Sequence, residues 1–432
     1  MQSICMKYLF SLLFLSSLCV AQNLVITNVS IIPVNTNTVL TNMNVYITNG
    51  VIDKIVSGGT KLPFKDYKTI DGKGKFLMPG LADMHAHFPD KTNPISLQQY
   101  LKYNLAAGVT TLRSMRGEES QLALRDSISK KLKVAPDIYV SYVFPDDDST
   151  LTKDKIADLI FQAKIKKYDF VKYLGGLKTK NMNHLSQSCY EYKIPLAGHA
   201  YNKSLEESVD LDFVSIEHYQ PVLAAYEKSP EGFSALIKKM KDKNVAVCPT
   251  LSFYYTYSFL QDETQLLAHN GMSLVSTQVK DQWLKEYNEA LNGTKEQLKE
   301  EFDTKYKSVY QKKFDVFNTV LKQLADENML LLLSADEGPF NVPGFSMAEE
   351  MKLYSKAGLS NYQILKSATY NAAVFFANDK NTGSVQEGKR ANLILLNANP
   401  LDAIENIQKV EGTILNGKYY SQKELLGISP TK

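Results

Sequence analysis

From Asn23 to about Phe76 the chain is written in short apolar runs separated by Asn, Gly and Asp: Leu24-Val25-Ile26, Val29 to Val34, Asn44 to Ile47 and Val51 to Val56. Runs of this length between turn formers predict strands, and Asn49-Gly50 between two of them predicts a hairpin. The texture returns near the other end, in Gly383 to Val385, Ala391 to Leu396 and Val410 to Leu415, the last followed by Asn416-Gly417. Two β-rich ends around a different middle predict one small β-sandwich domain built from residues 22–79 and 381–432.

The middle, residues 80–380, alternates strand-like and helix-like stretches. Apolar runs suited to buried parallel strands fall at Leu81 to His87, Thr110 to Arg113, Ile138 to Tyr142, Phe170 to Tyr173, Pro195 to His199, Phe213 to His218, Val245 to Pro249 and Met329 to Ser334. Helix-like stretches lie between them, such as Ser96 to Ala107 and Lys153 to Lys166. Eight such segments predict an α/β fold of the (β/α)8 TIM-barrel type, with a doubly wound sheet as the alternative. The gap at residues 253–327 exceeds any simple connection, and Asp281 to Leu291 and Lys295 to Leu321 are amphipathic, so a helical insertion before the last strand is expected over the barrel mouth. Asn292-Gly293-Thr294 matches a glycosylation acceptor but reads more simply as a break between two helices.

Composition adds limits. The 432 residues are 44% hydrophobic and 22% charged, enough for a sizeable core, and a net charge of +3 with interspersed signs gives no basic patch for nucleic acid or an anionic membrane. Residues 1–21 have the form of an export signal, with Lys7 before the apolar run Tyr8 to Leu15 and Cys19-Val20-Ala21 before a cut ahead of Gln22. That run is short for a membrane span. Lipid attachment at Cys19 is the rival reading, disfavoured by the bulk of Leu18. The expected location is periplasmic or secreted. Only Cys189 and Cys248 remain after the cut, which is no disulfide framework.

The chemistry gathers at strand ends. Of six histidines, His85, His87, His199 and His218 close the first, fifth and sixth predicted strands, and Asp336 closes the eighth. His85 and His87, two apart on a strand, face the same way and can serve one metal. His184 and His269 sit in helix-like segments and read as structural. Lys172, in the apolar strand Phe170 to Tyr173, is unfavourable as a bare buried cation. It either reaches out or pairs with an acid, or it is a neutral amine that takes up carbon dioxide as a carbamate.

These motifs identify a resemblance. Met78 to His87, Ala107 to Arg113, Asp169 to Tyr173, His199-Ala200-Tyr201, Ser215 to His218, Ala335-Asp336 and Gly383 to Leu393 together resemble the amidohydrolase superfamily of metal-dependent hydrolases, in its imidazolonepropionase-like and prolidase-like branch. The resemblance covers nearly the whole chain after the export segment. It implies two divalent metal ions, zinc first among the candidates: His85 and His87 on the more buried ion, His199 and His218 on the more exposed one, and carbamylated Lys172 bridging them. Asp336 would bind metal, hold a bridging hydroxide and pass its proton to the leaving amine. Tyr201, two residues beyond His199, is expected on the same face as a donor to the substrate carbonyl. Glu217, next to His218, is expected on the outer face.

Some positions depart from the family pattern. No Gly-Gly-His follows the third strand, where Ser141 to Asp148 stands instead; Ser114 and Asn392 replace acids common in relatives. The first of these puts prolidase specificity in doubt. Arg113 or Arg116 is expected to pair with a substrate carboxylate, and Phe253, Tyr254, Tyr255 and Tyr257 to line an apolar pocket. The substrate class implied is a small amide, dipeptide, N-acyl amino acid or cyclic amide, handled by a chain that can associate with copies of itself. The alternatives are a mononuclear imidazolonepropionase- or deaminase-like hydrolase, and a non-catalytic binding protein on the same fold.

Overall fold

The computed structural model describes residues 23–60, 62, 66–91, 93–130 and 133–428; the expected export segment lies outside them. Five strands open the chain: β1 (Leu24–Ile31), β2 (Leu40–Thr48), β3 (Val51–Ser57), β4 (Lys68–Asp71) and β5 (Phe76–Pro79). Seven then form the barrel: β6 (Leu81–Ala86), β7 (Val109–Ser114), β8 (Asp137–Val143), β9 (Phe170–Tyr173), β10 (Leu196–Gly198), β11 (Phe213–Glu217) and β12 (Ala246–Cys248). The last three, β13 (Leu393–Leu396), β14 (Val410–Leu415) and β15 (Lys418–Ser421), rejoin the first group. The result is an eight-stranded mixed sheet in the order β15-β14-β13-β5-β1-β2-β3, with β4 beside β1, so both ends of the chain build it. An antiparallel bridge between Val51 and Arg390 curls it around its own core of Leu24, Ile26, Ile47, Leu77, Leu393 and Ile414.

The barrel strands are short and buried on both faces, as parallel strands covered by helices must be. They run in sequential order from β6 to β12, all parallel. The expected eighth strand is reduced to the segment Leu330 to Ser334, which carries one parallel bridge, Val247 with Leu331. It still spans the gap, because the Leu332 N–H donates to Val247 O at 2.8 Å and the Met84 N–H to Leu333 O at 3.2 Å. The barrel is therefore nearly closed, and the doubly wound alternative is ruled out.

Helices begin where side chains can cap them. Ser96 accepts from the Gln99 N–H and Gln99 returns the bond to Ser96, starting the helix Leu97–Ala106; Thr152 caps Lys153–Ile165. The insertion before the last barrel segment contains Leu251–Tyr257, Glu263–Leu267, Thr277–Leu298 and Lys307–Asp326. One correction concerns its helix boundary. The helix runs straight through Asn292-Gly293-Thr294 to Leu298, and the break falls at Lys299, in a positive-φ conformation. Good helix formers on both sides outweigh a single glycine, which weakens a helix by only about 1 kcal/mol. Lys307–Asp326 buries Phe314, Phe317, Val320, Leu321 and Leu324 on one face. Among the described residues no helix is long and apolar enough to cross a membrane.

Two substitutions test this packing. Gly108 follows the helix Leu97–Ala106 with φ +87°, and a Cβ there would overlap the Ile394 side chain of β13. Gly108→Ala is expected to destabilise the protein by about 1–3 kcal/mol, read as a lower melting temperature. Gly293→Ala, at a position with open space around it, should instead raise stability by about 0.5–1 kcal/mol. An unchanged melt for either would contradict the corresponding contact or the continuous helix.

Candidate active site

The C-terminal ends of the barrel strands carry the site. On β6 the extended backbone turns His85 and just beyond it His87 to one side, their rings stacked with centroids 5.3 Å apart. His199 follows β10 and His218 follows β11; His218 lies 4.9 Å, ring to ring, from both His85 and His199. Lys172 enters from β9 and Asp336 from the loop after Ser334. The structure thus brings together His85, His87, Lys172, His199, His218 and Asp336 in the lining of one cavity of about 540 Å³.

Hydrogen bonds on the outer side orient the rings. His85 Nδ1 lies 2.8 Å from Glu217 Oε2, and His199 Nδ1 lies 2.7 Å from the Leu174 carbonyl. Both partners only accept, so each Nδ1 carries the proton and each Nε2 keeps its lone pair. His218 Nδ1 shares a 2.7 Å hydrogen bond with Thr250 Oγ1. Glu350, fully buried, fixes that turn by accepting from the Leu251 and Ser252 N–H groups at 2.8 and 2.6 Å. Toward the centre, Asp336 lies 3.8 Å from His85 Nε2 and 3.4 Å from His87 Nε2, and its Oδ2 is also 3.8 Å from the same His218 Nδ1 that meets Thr250.

Burial sets the charge states. It pushes His87 down to about 3 and His199 to about 4, and holds His85 and His218 well below their usual range, so all four imidazoles are neutral at pH 7. Burial also lowers Lys172 to about 8 and lifts Asp336 to about 7. Buried His87 Nε2 and Lys172 Nζ have no hydrogen-bond partner among the described residues. Neutral imidazoles, those of His85 and His199 with the Nε2 lone pair free, a carboxylate and an unsatisfied amine form a donor set that fits divalent metal, and ligand atoms of His85, His87 and Asp336 all lie within 4.8 Å of one another.

Three expectations are corrected. Glu217 faces inward, fully buried. Strand alternation fails there because His218 adopts φ +72°, a left-handed backbone that swings its side chain to the same side as that of its neighbour. Arg113 cannot reach a substrate: it is 0% exposed, paired with Glu217, and set against the rings of Phe170 and Phe375 at 5.1 and 4.9 Å. Tyr201 starts a tight turn rather than extending the strand, so its hydroxyl donates to Thr179 Oγ1 at 3.0 Å and the residue does not line the cavity.

Arg116, Phe253 and Tyr254 do line the cavity, together with Trp283 and Glu286 from the insertion helix Thr277–Leu298, which therefore covers part of the mouth; Tyr255 and Tyr257 do not. Glu337 also faces the cavity, its carboxyl raised to about 7 by burial and by Asp336. Sequence reasoning missed Glu217, Thr250, Glu337 and Glu350 as parts of the site. For Glu217 and Glu337 the available signal was a place beside a strand-end ligand candidate, His218 and Asp336; nothing local marks Thr250 or Glu350.

The amidohydrolase family model matches residues 76–419. No curated protein matches the chain. Among solved structures, a Xaa-Pro dipeptidase with bound methionine in its active site superposes with a TM-score of 0.68 at 18% identity, covering 92% of this chain and 100% of that one. Bottromycin amidohydrolase gives 0.70 at 19% identity over 94% and 88%. Molinate hydrolase gives 0.70 at 15% over 95% and 98%. At these identities the structural likeness shows the barrel fold alone, whereas the family model spans most of the sequence, and on that ground the chain belongs to the amidohydrolase family.

Proposed function

We propose that this protein is an exported metal-dependent hydrolase that cleaves the amide C–N bond of a small peptide-like substrate, a dipeptide or an N-acyl amino acid. The observation that carries this reading is the convergence of four neutral imidazoles, Lys172 and Asp336 on one cavity at the C-terminal end of the barrel. His85 and His87 would hold one divalent ion, His199 and His218 a second, and Lys172 as a carbamate, with Asp336, would serve both; zinc is the first candidate. Such ions lower the pKa of water toward 7 and polarise a carbonyl.

The side chains of the chain supply the rest. Asp336 sits at the centre of the ring of histidines, where its carboxylate can accept a proton from the attacking water and return it to the amide nitrogen. Water oxygen bonds to the carbonyl carbon, the C–N bond breaks, and the products are a carboxylic acid and an amine. Arg116, at the cavity wall, suits a substrate carboxylate, the role first open to either arginine and now left to this one. Trp283, Phe253 and Tyr254 offer apolar surface to a side chain and narrow the access of bulk water. The form of residues 1–21 supports export, which suits scavenging of peptides or acylated compounds.

The test is hydrolysis of a panel of dipeptides and N-acyl amino acids by the metal-loaded protein. Turnover is expected, abolished by a chelator and restored by zinc; Asp336→Asn should lower kcat by about 10²–10⁴-fold. Arg116→Ala should raise KM for substrates with a free carboxylate by about tenfold while changing little for the corresponding carboxamides, the loss of a single charge-assisted contact. No release of amine from any member of the panel would reject the proposal.

A further inference from the structure

Arg113, Glu217 and Ser215 have no contact with the cavity, yet they form one connected buried unit that ends on a ring of the site. Glu217 presents Oε1 to the Arg113 guanidinium and accepts there from Ser215 Oγ at 2.6 Å; Arg113 Nη2 also donates to Ser215 Oγ at 2.8 Å. Oε1 is thereby fully engaged, which leaves Oε2 for His85 Nδ1 at 2.8 Å. The guanidinium is fixed in turn by the faces of Phe170 and Phe375. Side chains of β6, β7, β9 and β11 take part, and Arg113, Ser215 and Glu217 are each no more than 1% exposed.

A buried ion pair is a poor device for stability alone, because desolvation offsets most of the Coulombic gain and apolar replacements are often as stable. A carboxylate on the outer nitrogen of a ligating imidazole does something an apolar side chain cannot: it fixes the tautomer, aims the ring and makes the inner nitrogen more basic. The four rings are not equal in this respect. His199 rests on a backbone carbonyl and His218 on a hydroxyl, while His85 alone has an ionised partner within hydrogen-bond distance; the nearest carboxylate oxygen on the outer side of His87 is 3.9 Å away.

We propose that Arg113, Glu217 and Ser215 act as a positioning unit for His85, strengthening the hold of the His85–His87 pair on its metal ion and not that of the His199–His218 pair. This rests on the reading of the cavity as a two-metal centre. Arg113 is thus a positioning residue acting through Glu217, and the unit makes the two ions unequal in retention.

The experiment is competition between a chelator and the zinc-loaded protein, followed by released zinc per chain. It compares the wild type with two double variants that remove both buried charges together, Arg113→Met/Glu217→Leu and Arg113→Met/Glu217→Gln. In the first, His85 Nδ1 loses its acceptor, and one of the two ions should be held about 10–100-fold more weakly while the other is unchanged. In the second, a neutral acceptor remains, and the loss at that same ion should be smaller, on the order of threefold to tenfold. If the Leu variant does not fold, the loss at one ion in the Gln variant is the expected result. Wild-type retention of both ions in either folded variant, or equal weakening of both, would overturn the assignment. A wild type that binds no metal fails earlier and overturns the two-metal reading itself.

Discussion

Taking four imidazoles, an amine and several carboxylates, Glu217, Asp336 and Glu350 among them, out of water at one end of a barrel is the constraint to which the rest of this structure answers. Each such group must be neutral, paired or hydrogen-bonded to be buried at acceptable free energy. The imidazoles are neutral because burial makes them so. Glu217 stays ionised because Arg113, Lys172 and Ser215 hold its carboxyl below the usual range against the opposing effect of burial. Asp83, at the foot of the same strand as His85, accepts from the Ser334 hydroxyl at 2.5 Å and from the His85 N–H at 3.2 Å. Of the groups that line the cavity, Lys172 Nζ and His87 Nε2 have no hydrogen-bond partner among the described residues, and a cation or a carbamate would complete them.

The backbone carries part of the cost of this arrangement. His218, Thr250 and Asp336 all have positive φ, at 72°, 50° and 61°, although none is glycine. Such conformations disfavour an L residue by about 1–3 kcal/mol and persist only where surrounding packing fixes them. Here they sit at the ends of β11, β12 and the segment that closes the barrel, and each turns a functional side chain across the strand direction and into the site. Gly198 before His199 serves the same end by another route: at φ +140° a Cβ there would collide with the Tyr173 carbonyl, so the two strands approach closely enough to set His199 near Lys172.

What was legible in the sequence follows from this. The barrel could be read because its strands are continuous apolar runs, and the pairing of the two chain ends because both carry the same β texture. His85 and His87 could be read because the chain there is extended, so a period of two holds. The same rule misplaced Glu217 and Tyr201, since the backbone leaves the strand at His218 and again after Ala200, and no residue at either place announces it. Arg113 looked like a ligand for substrate because its burial depends on Glu217, more than a hundred positions away in the chain, and on two aromatic rings that sequence does not bring near. The last strand faded into a bridged segment because hydrogen bonds to its neighbours are few, a property of three-dimensional fit and not of composition.

The central claim is that Lys172 joins two metal ions. Elemental analysis of the wild type and of Lys172→Ala, both without residues 1–21 and purified side by side with bicarbonate present, decides it. About two divalent ions per wild-type chain and one or none in the variant are expected, as a shared anionic ligand requires. One ion in both proteins would contradict the bridging role and point to a mononuclear site.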